Sequence, residues 1–414
     1  MPPQSLSSET NIKLPFSFIF FSFIALVCSQ ILLLSNGQFM TSGTFRIPAL
    51  WSAAHLIILG WALMTAMGAM YQLVPVAFLT KIWNETFGFI QFFVTAIGIL
   101  TFAGTLYWAP QDAFIPGALT LIGILMFIVQ MLMTLRKQAK PNILTAFVGT
   151  GLVCLLVTIS IGITLIYCLS TGKGTEYYQP LFKTHLLMGI TGWFTLLIFG
   201  LSYKMVPMFS LSHGFPMVQA RYVYGIYISG LIITIISIFS GNDLLLKLGF
   251  LLLFIGFTTF SWHVSIIIKK RLKKKLDKPF SFALSAIGFG NLIHFVAFVM
   301  LFTNHFSGLI GPLIYTYLFL WIILSILGYL YKIVPFLWWT HKYSQEIGKK
   351  AVPSLKQMTN EKVITILLSL FILSVLIVFC ALSLKIAILF NIGQVMFSVT
   401  FISIALNTLN VLRK

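Results

Sequence analysis

Residues 61–75 read WALMTAMGAMYQLVP, residues 193–207 read WFTLLIFGLSYKMVP, and residues 321–335 read WIILSILGYLYKIVP. All three obey W-x6-G-x2-Y-x2-V-P. The matched sets are Trp61, Gly68, Tyr71, Val74, Pro75; Trp193, Gly200, Tyr203, Val206, Pro207; and Trp321, Gly328, Tyr331, Val334, Pro335. Five positions recurring three times at so regular a spacing imply repeated architecture. At roughly 100° per residue, the Trp, Gly, Tyr and Pro of each copy fall within about 80° of one another, one stripe along a helix. The glycine lets a neighbouring helix approach closely, and the proline is expected to end the helix.

Outward from these stretches the chain is apolar. Of 414 residues, 59% are hydrophobic and 8% charged, with a mean hydropathy of +0.99. A soluble domain carries roughly 25% charged residues, so lipid has to be the solvent. About 20 apolar residues cross the hydrocarbon core. On that scale runs occur near 14–35, 47–74, 84–108, 115–135, 143–169, 180–206, 220–240, 245–268, 280–303, 310–335, 362–384 and 387–411. The expected fold is all-α: a polytopic membrane protein of about 12 transmembrane helices in three pseudo-repeated four-helix arcs. The arcs cover about 14–135, 143–268 and 280–411 of a single transmembrane domain, with the second helix of each lining the centre. The first run has no convincing small-residue cleavage site and reads as a retained helix. Cys28, Cys154, Cys168 and Cys380 are scattered through apolar runs and read as small core residues.

The net charge of +19 lies in short loops, where it acts as a topology signal and meets anionic lipid rather than nucleic acid. The densest run is Lys269-Lys270-Arg271-Leu272-Lys273-Lys274-Lys275. With both termini cytoplasmic, only Arg46, Lys173, Lys183, Lys247 and Lys385 of the 27 basic residues lie outside. That asymmetry sets the expected orientation in a cell membrane. The longest inner loop is expected at 336–361.

Ionisable groups within a bilayer are functional candidates by default. Glu9, Glu85, Asp112, Glu176, Asp243, Asp277, Glu346 and Glu361 all fall in tails, loops or helix ends, which argues against an ion-coupled carrier. His213 and His341 fall in inner loops, His305 in an outer loop, and His263 near the inner end of the eighth helix; these read as surface or interfacial. His55, His185 and His294 sit in the outer halves of their helices. His55 precedes Trp61 by six residues and His185 precedes Trp193 by eight. The two differ in depth by about 3 Å and, on regular α-helices, in direction by about 160°. On neighbouring helices such directions converge on the gap between them. Neutral imidazole is a common ligand for metals and haem iron, so His55 and His185 form the candidate metal pair, with His294 able to replace either. Met64, Met67, Met70, Met205 and Met208 read as core filler, and the 40 Phe as lipid-facing and interfacial rings.

The segments His185-Leu-Leu-Met-Gly-Ile-Thr-Gly-Trp193 and Gly200-Leu-Ser-Tyr203-Lys-Met-Val-Pro207 resemble a segment of the haem-copper oxidase subunit I superfamily, nearest the cbb type. The resemblance implies twelve helices in three arcs. It places a haem ligand at His55 and a copper ligand nearest to His185. It departs at the tenth helix, where Leu313 and Tyr315 stand at the family's haem-ligating histidines. It departs again at the seventh, which has Tyr222, Tyr224 and Tyr227 but no histidine. The expectation is therefore a divergent, oxidase-like protein without the ligands to reduce oxygen, holding a b-type haem and no copper. Its roles would be electron transfer, gas sensing or respiratory assembly, with a respiratory-chain or haem-handling partner. A small-molecule permease with its pore among the three stripes, or a non-catalytic respiratory subunit, is the alternative.

Overall fold

The computed structural model describes residues 10–303 and 308–414, so Glu9 and His305 lie outside the described residues. Among the described residues, twelve helices are long and apolar enough to cross a membrane: α1 (Lys13–Asn36), α2 (Pro48–Phe78), α3 (Glu85–Trp108), α4 (Phe114–Leu135), α5 (Ile143–Thr171), α6 (Thr175–Ser210), α7 (Val218–Ser240), α8 (Asp243–Lys269), α9 (Lys278–Met300), α10 (Ile310–Glu346), α11 (Glu361–Leu384) and α12 (Ala387–Arg413). Local chemistry sets their ends. Asn84, Asn142, Asn242 and Asn360 cap α3, α5, α8 and α11 by accepting first-turn amides. Gly172 and Gly241 close α5 and α7 in the left-handed conformation.

Burial sorts the helices into two groups. The apolar cores of α2, α6 and α10 are 78%, 78% and 67% buried, whereas every other span is between 28% and 56% buried. These three motif-bearing helices form the inside, and they touch one another pairwise. Ala66, Leu73, Leu197, Leu201, Leu330 and Ile333 of the three helices line an apolar void of about 50 Å³. At the perimeter α12 lies against α1, where Gln30 Oε1 accepts from Gln394 Nε2 at 3.2 Å and from Ser398 Oγ at 2.9 Å.

The motif residues act as follows. A methyl group on Gly68 would stand 2.8 Å from Pro15 O, one on Gly200 2.8 Å from Phe147 Cβ, and one on Gly328 2.7 Å from both Ala283 N and Cβ. Each glycine therefore lets an inner helix press on α1, α5 or α9. The prolines do not end their helices. Pro75 and Pro207 lie inside α2 and α6, which continue to Phe78 and Ser210; α10 runs past Pro335 to Tyr343 before a last tight turn. Proline removes its own N–H and displaces the carbonyl one turn earlier, but its own carbonyl still accepts. Pro75 O and Pro207 O receive the amides of Leu79 and Leu211, both left-handed caps. The carbonyl that Pro75 orphans, Tyr71 O, accepts from Thr10 Oγ1 at 3.2 Å. The expected inner loop at 336–361 shrinks accordingly, and His341 is an exposed residue of α10 rather than of a loop.

Each inner helix also contains one wide i→i+5 stretch: Leu56–Leu63, Leu187–Phe194 and Tyr317–Ile323. Each stretch contains its motif tryptophan. Such π-turns are rare within α-helices and concentrate at functional sites.

Candidate cofactor site

A cavity of about 180 Å³ lies between α2 and α6, with residues of α3, α4 and α5 completing its wall. His55 and His185 both line it. The remaining wall is apolar: Leu59, Leu63, Phe102, Ile124, Ile159 and Trp193 among others.

The two imidazoles are held alike. His55 Nδ1 lies 2.8 Å from Trp51 O, one turn earlier on its own helix, and its ring meets the Phe102 edge at 5.2 Å. His185 Nδ1 lies 2.9 Å from Thr158 O across the α5–α6 interface. A carbonyl only accepts, so both Nδ1 atoms carry the proton and both Nε2 atoms keep a lone pair. No protein donor engages either Nε2 among the described residues. The close crossing of α5 and α6 depends on Gly162 and Gly189. A methyl on Gly162 would stand 3.1 Å from His185 Cε1, and one on Gly189 3.3 Å from Thr158 Cγ2.

Direction along the helices is where regular geometry misleads. The whole interval from His55 to Trp61 and from His185 to Trp193 is wound partly as i→i+5 turns, which rotate less per residue than an α-helix. The 160° offset expected for unbroken α-helices therefore does not apply. Both rings nonetheless face one space.

His294 does not join them. It is buried on α9, with Nδ1 2.8 Å from Gly290 O and Nε2 3.4 Å from Tyr227 OH, packed at 4.4 Å on Phe257. It belongs to the gap between α6 and α10, which is filled by Phe199, Tyr227, Phe257, Phe260, Tyr317 and Trp321. There Thr195 Oγ1 takes the Trp321 indole N–H at 3.0 Å and meets Tyr317 OH at 2.7 Å. The gap between α10 and α2 is filled by Trp61, Phe319, Phe371, Phe397 and Phe401. Tyr315, at a position where the resemblance implies a haem ligand, is buried with its hydroxyl unpartnered. Many phenylalanines thus serve as interior packing, beyond the lipid-facing role expected of them.

His263 is not at a surface. It is fully buried, with Nδ1 3.2 Å from Tyr203 OH and Nε2 2.9 Å from Pro216 O, so both ring nitrogens are used. Its distance from the helix end was legible, but the face of α8 it occupies was not. His213 is exposed. Met64, Met67, Met70 and Met205 are buried away from the cavity, and Met208 is exposed. Among the described residues no three His, Cys, Asp or Glu side chains converge. The site that exists is a pair.

The pair would offer a haem iron two neutral imidazole donors in a largely apolar space. The donor set fits. Comparison with protein-family models gives no match, and comparison with curated proteins gives none either.

Proposed function

We propose that this chain is a membrane haem protein, a divergent relative of haem-copper oxidase subunit I, that binds haem b between His55 and His185 and passes single electrons. When bound, the haem supplies one-electron chemistry. The observation that carries the reading is the matched state of the two imidazoles: each has its Nδ1 at hydrogen-bond distance from a carbonyl, and both rings line the same apolar cavity. Such second-shell bonds fix the tautomer, hold the ring and raise its basicity. With both histidines as its ligands, a bound haem would be suited to electron transfer rather than oxygen reduction. The missing ligands at Leu313 and Tyr315 point the same way.

The position of the pair in the outer halves of α2 and α6 suits exchange with a respiratory-chain or haem-handling partner, and the basic residues support an orientation in a cell membrane with both termini in the cytoplasm. The test is an optical spectrum of the protein purified after expression with ample haem. A Soret band, with bands sharpening on dithionite reduction and about one haem per chain, is expected. A colourless protein that also fails to take up added haem refutes the reading.

A further inference from the structure

The void among the three inner helices follows from the repeat itself. Counted from each motif tryptophan, the fifth position is Ala66, Ile198 and Ile326, and the eighth is Ala69, Leu201 and Tyr329. All six residues line the void. Two copies place large side chains at both positions, whereas α2 places alanine at both. Ala66 and Ala69 stand three residues apart in a regular α-helical stretch, so they share one face and the missing volume is contiguous. Two short side chains on one helix leave the space.

No polar group serves it. The wall has two hydroxyls, and both are engaged: Thr65 Oγ1 donates to Ser22 Oγ at 3.0 Å, and Tyr329 OH pairs with Ser202 Oγ at 2.8 Å. A buried water makes two to four hydrogen bonds, and an apolar cavity without such partners stays dry. Volume narrows the occupant further. A dry cavity of about 150 Å³ takes benzene. The space here, about 50 Å³, is too small for a lipid chain, a tetrapyrrole or a ring-sized substrate. We propose that the void is a docking site for one molecule of a small apolar gas, of the class of dioxygen or nitric oxide, formed by Ala66 and Ala69. Phe194, next after the motif tryptophan of α6, lines both this void and the cavity of His55 and His185, so a docked gas stands one side chain away from that pair. The proposal rests on the wall of the void and not on the haem reading.

Crystals of the full chain under xenon pressure test it, because xenon is apolar, of similar size and visible by its anomalous scattering. Wild type, Ala66→Ile and Ala69→Leu are compared; each substitution installs the side chain that α6 carries at the same repeat position. Wild type should hold one xenon between α2, α6 and α10, and no ordered water there without the gas. Both variants should lose that xenon and keep any bound elsewhere. If one variant does not fold, the other and the wild-type map still decide. In lipid nanodiscs, paramagnetic dioxygen should broaden the Ala69 methyl resonance several-fold more in wild type than in Ala66→Ile. A wild-type void that takes no xenon or holds ordered water overturns the proposal. Xenon that survives both substitutions, or dioxygen broadening equal in the two proteins, overturns it as well.

Discussion

Gly162→Ala is the most informative single perturbation away from the histidines themselves. The added methyl would stand 3.1 Å from His185 Cε1 and 3.5 Å from Nδ1. Carbon atoms in comfortable contact sit about 3.5–4.0 Å apart, so the ring must retreat by roughly 0.4 Å or more. That retreat stretches the 2.9 Å contact from Nδ1 to Thr158 O toward about 3.3 Å, where a hydrogen bond is weak. Removing an outer partner of a metal-bound histidine typically costs 10–100-fold in affinity. A strained partner should cost about tenfold, the lower end of that range. Gly149→Ala on the same helix meets nothing within 4 Å. It should leave affinity unchanged and stabilise the helix by about 0.5–1 kcal/mol. Haem titration and thermal unfolding of both variants supply the comparison. If Gly162→Ala binds haem as tightly as Gly149→Ala does, the claim that α5 positions His185 for ligation is wrong.

Other expectations concern the frame around the site. Gly328→Ala drives a methyl to 2.7 Å from the Ala283 backbone nitrogen, which cannot swing aside, and should destabilise by about 2–3 kcal/mol; Gly288→Ala on α9, with open space around it, should not, as unfolding in denaturing detergent will show. Thr195→Val strips the acceptor from Trp321 Nε1 and the partner from Tyr317 OH, leaving two buried polar groups stranded at a cost of about 2–4 kcal/mol in the same assay. Asp277, just before the first residue of α9, has its carboxylate between Lys273 and Lys332. Burial pushes its carboxyl up, but the two ammonium groups outweigh that and hold it below its ordinary value. Its contribution is therefore present above the unfolded carboxylate range, near pH 4, and disappears as pH falls through the lower folded value. Asp277→Asn should cost about 1–2 kcal/mol at neutral pH and progressively less at acid pH.

The number and order of the helices were legible because lipid-spanning segments announce themselves by length and apolarity, and the inner position of α2, α6 and α10 followed from a motif shared by those three alone. What stayed hidden has a common cause. In a helix apolar on every face, hydropathy carries no phase, so neither the i→i+5 winding at Leu56–Leu63 nor the inward face of His263 could be read. The prolines were read too simply: whether Pro75 stops α2 depends on who answers the orphaned Tyr71 carbonyl, and that is Thr10, 61 residues earlier in sequence. That His55 and His185 line one cavity was foreshadowed by their repeat position. The exclusion of His294 could only come from seeing aromatic rings fill its gap.

The central claim is that one iron is held by His55 on one side and His185 on the other. Near-infrared magnetic circular dichroism of the oxidised protein reads axial ligation directly. The account predicts a bis-imidazole band in wild type and in His294→Ala, a shift to the histidine–methionine position in His185→Met, and loss of the low-spin band in His55→Ala. A wild-type band of any other ligation, or one that His185→Met leaves in place, would contradict it.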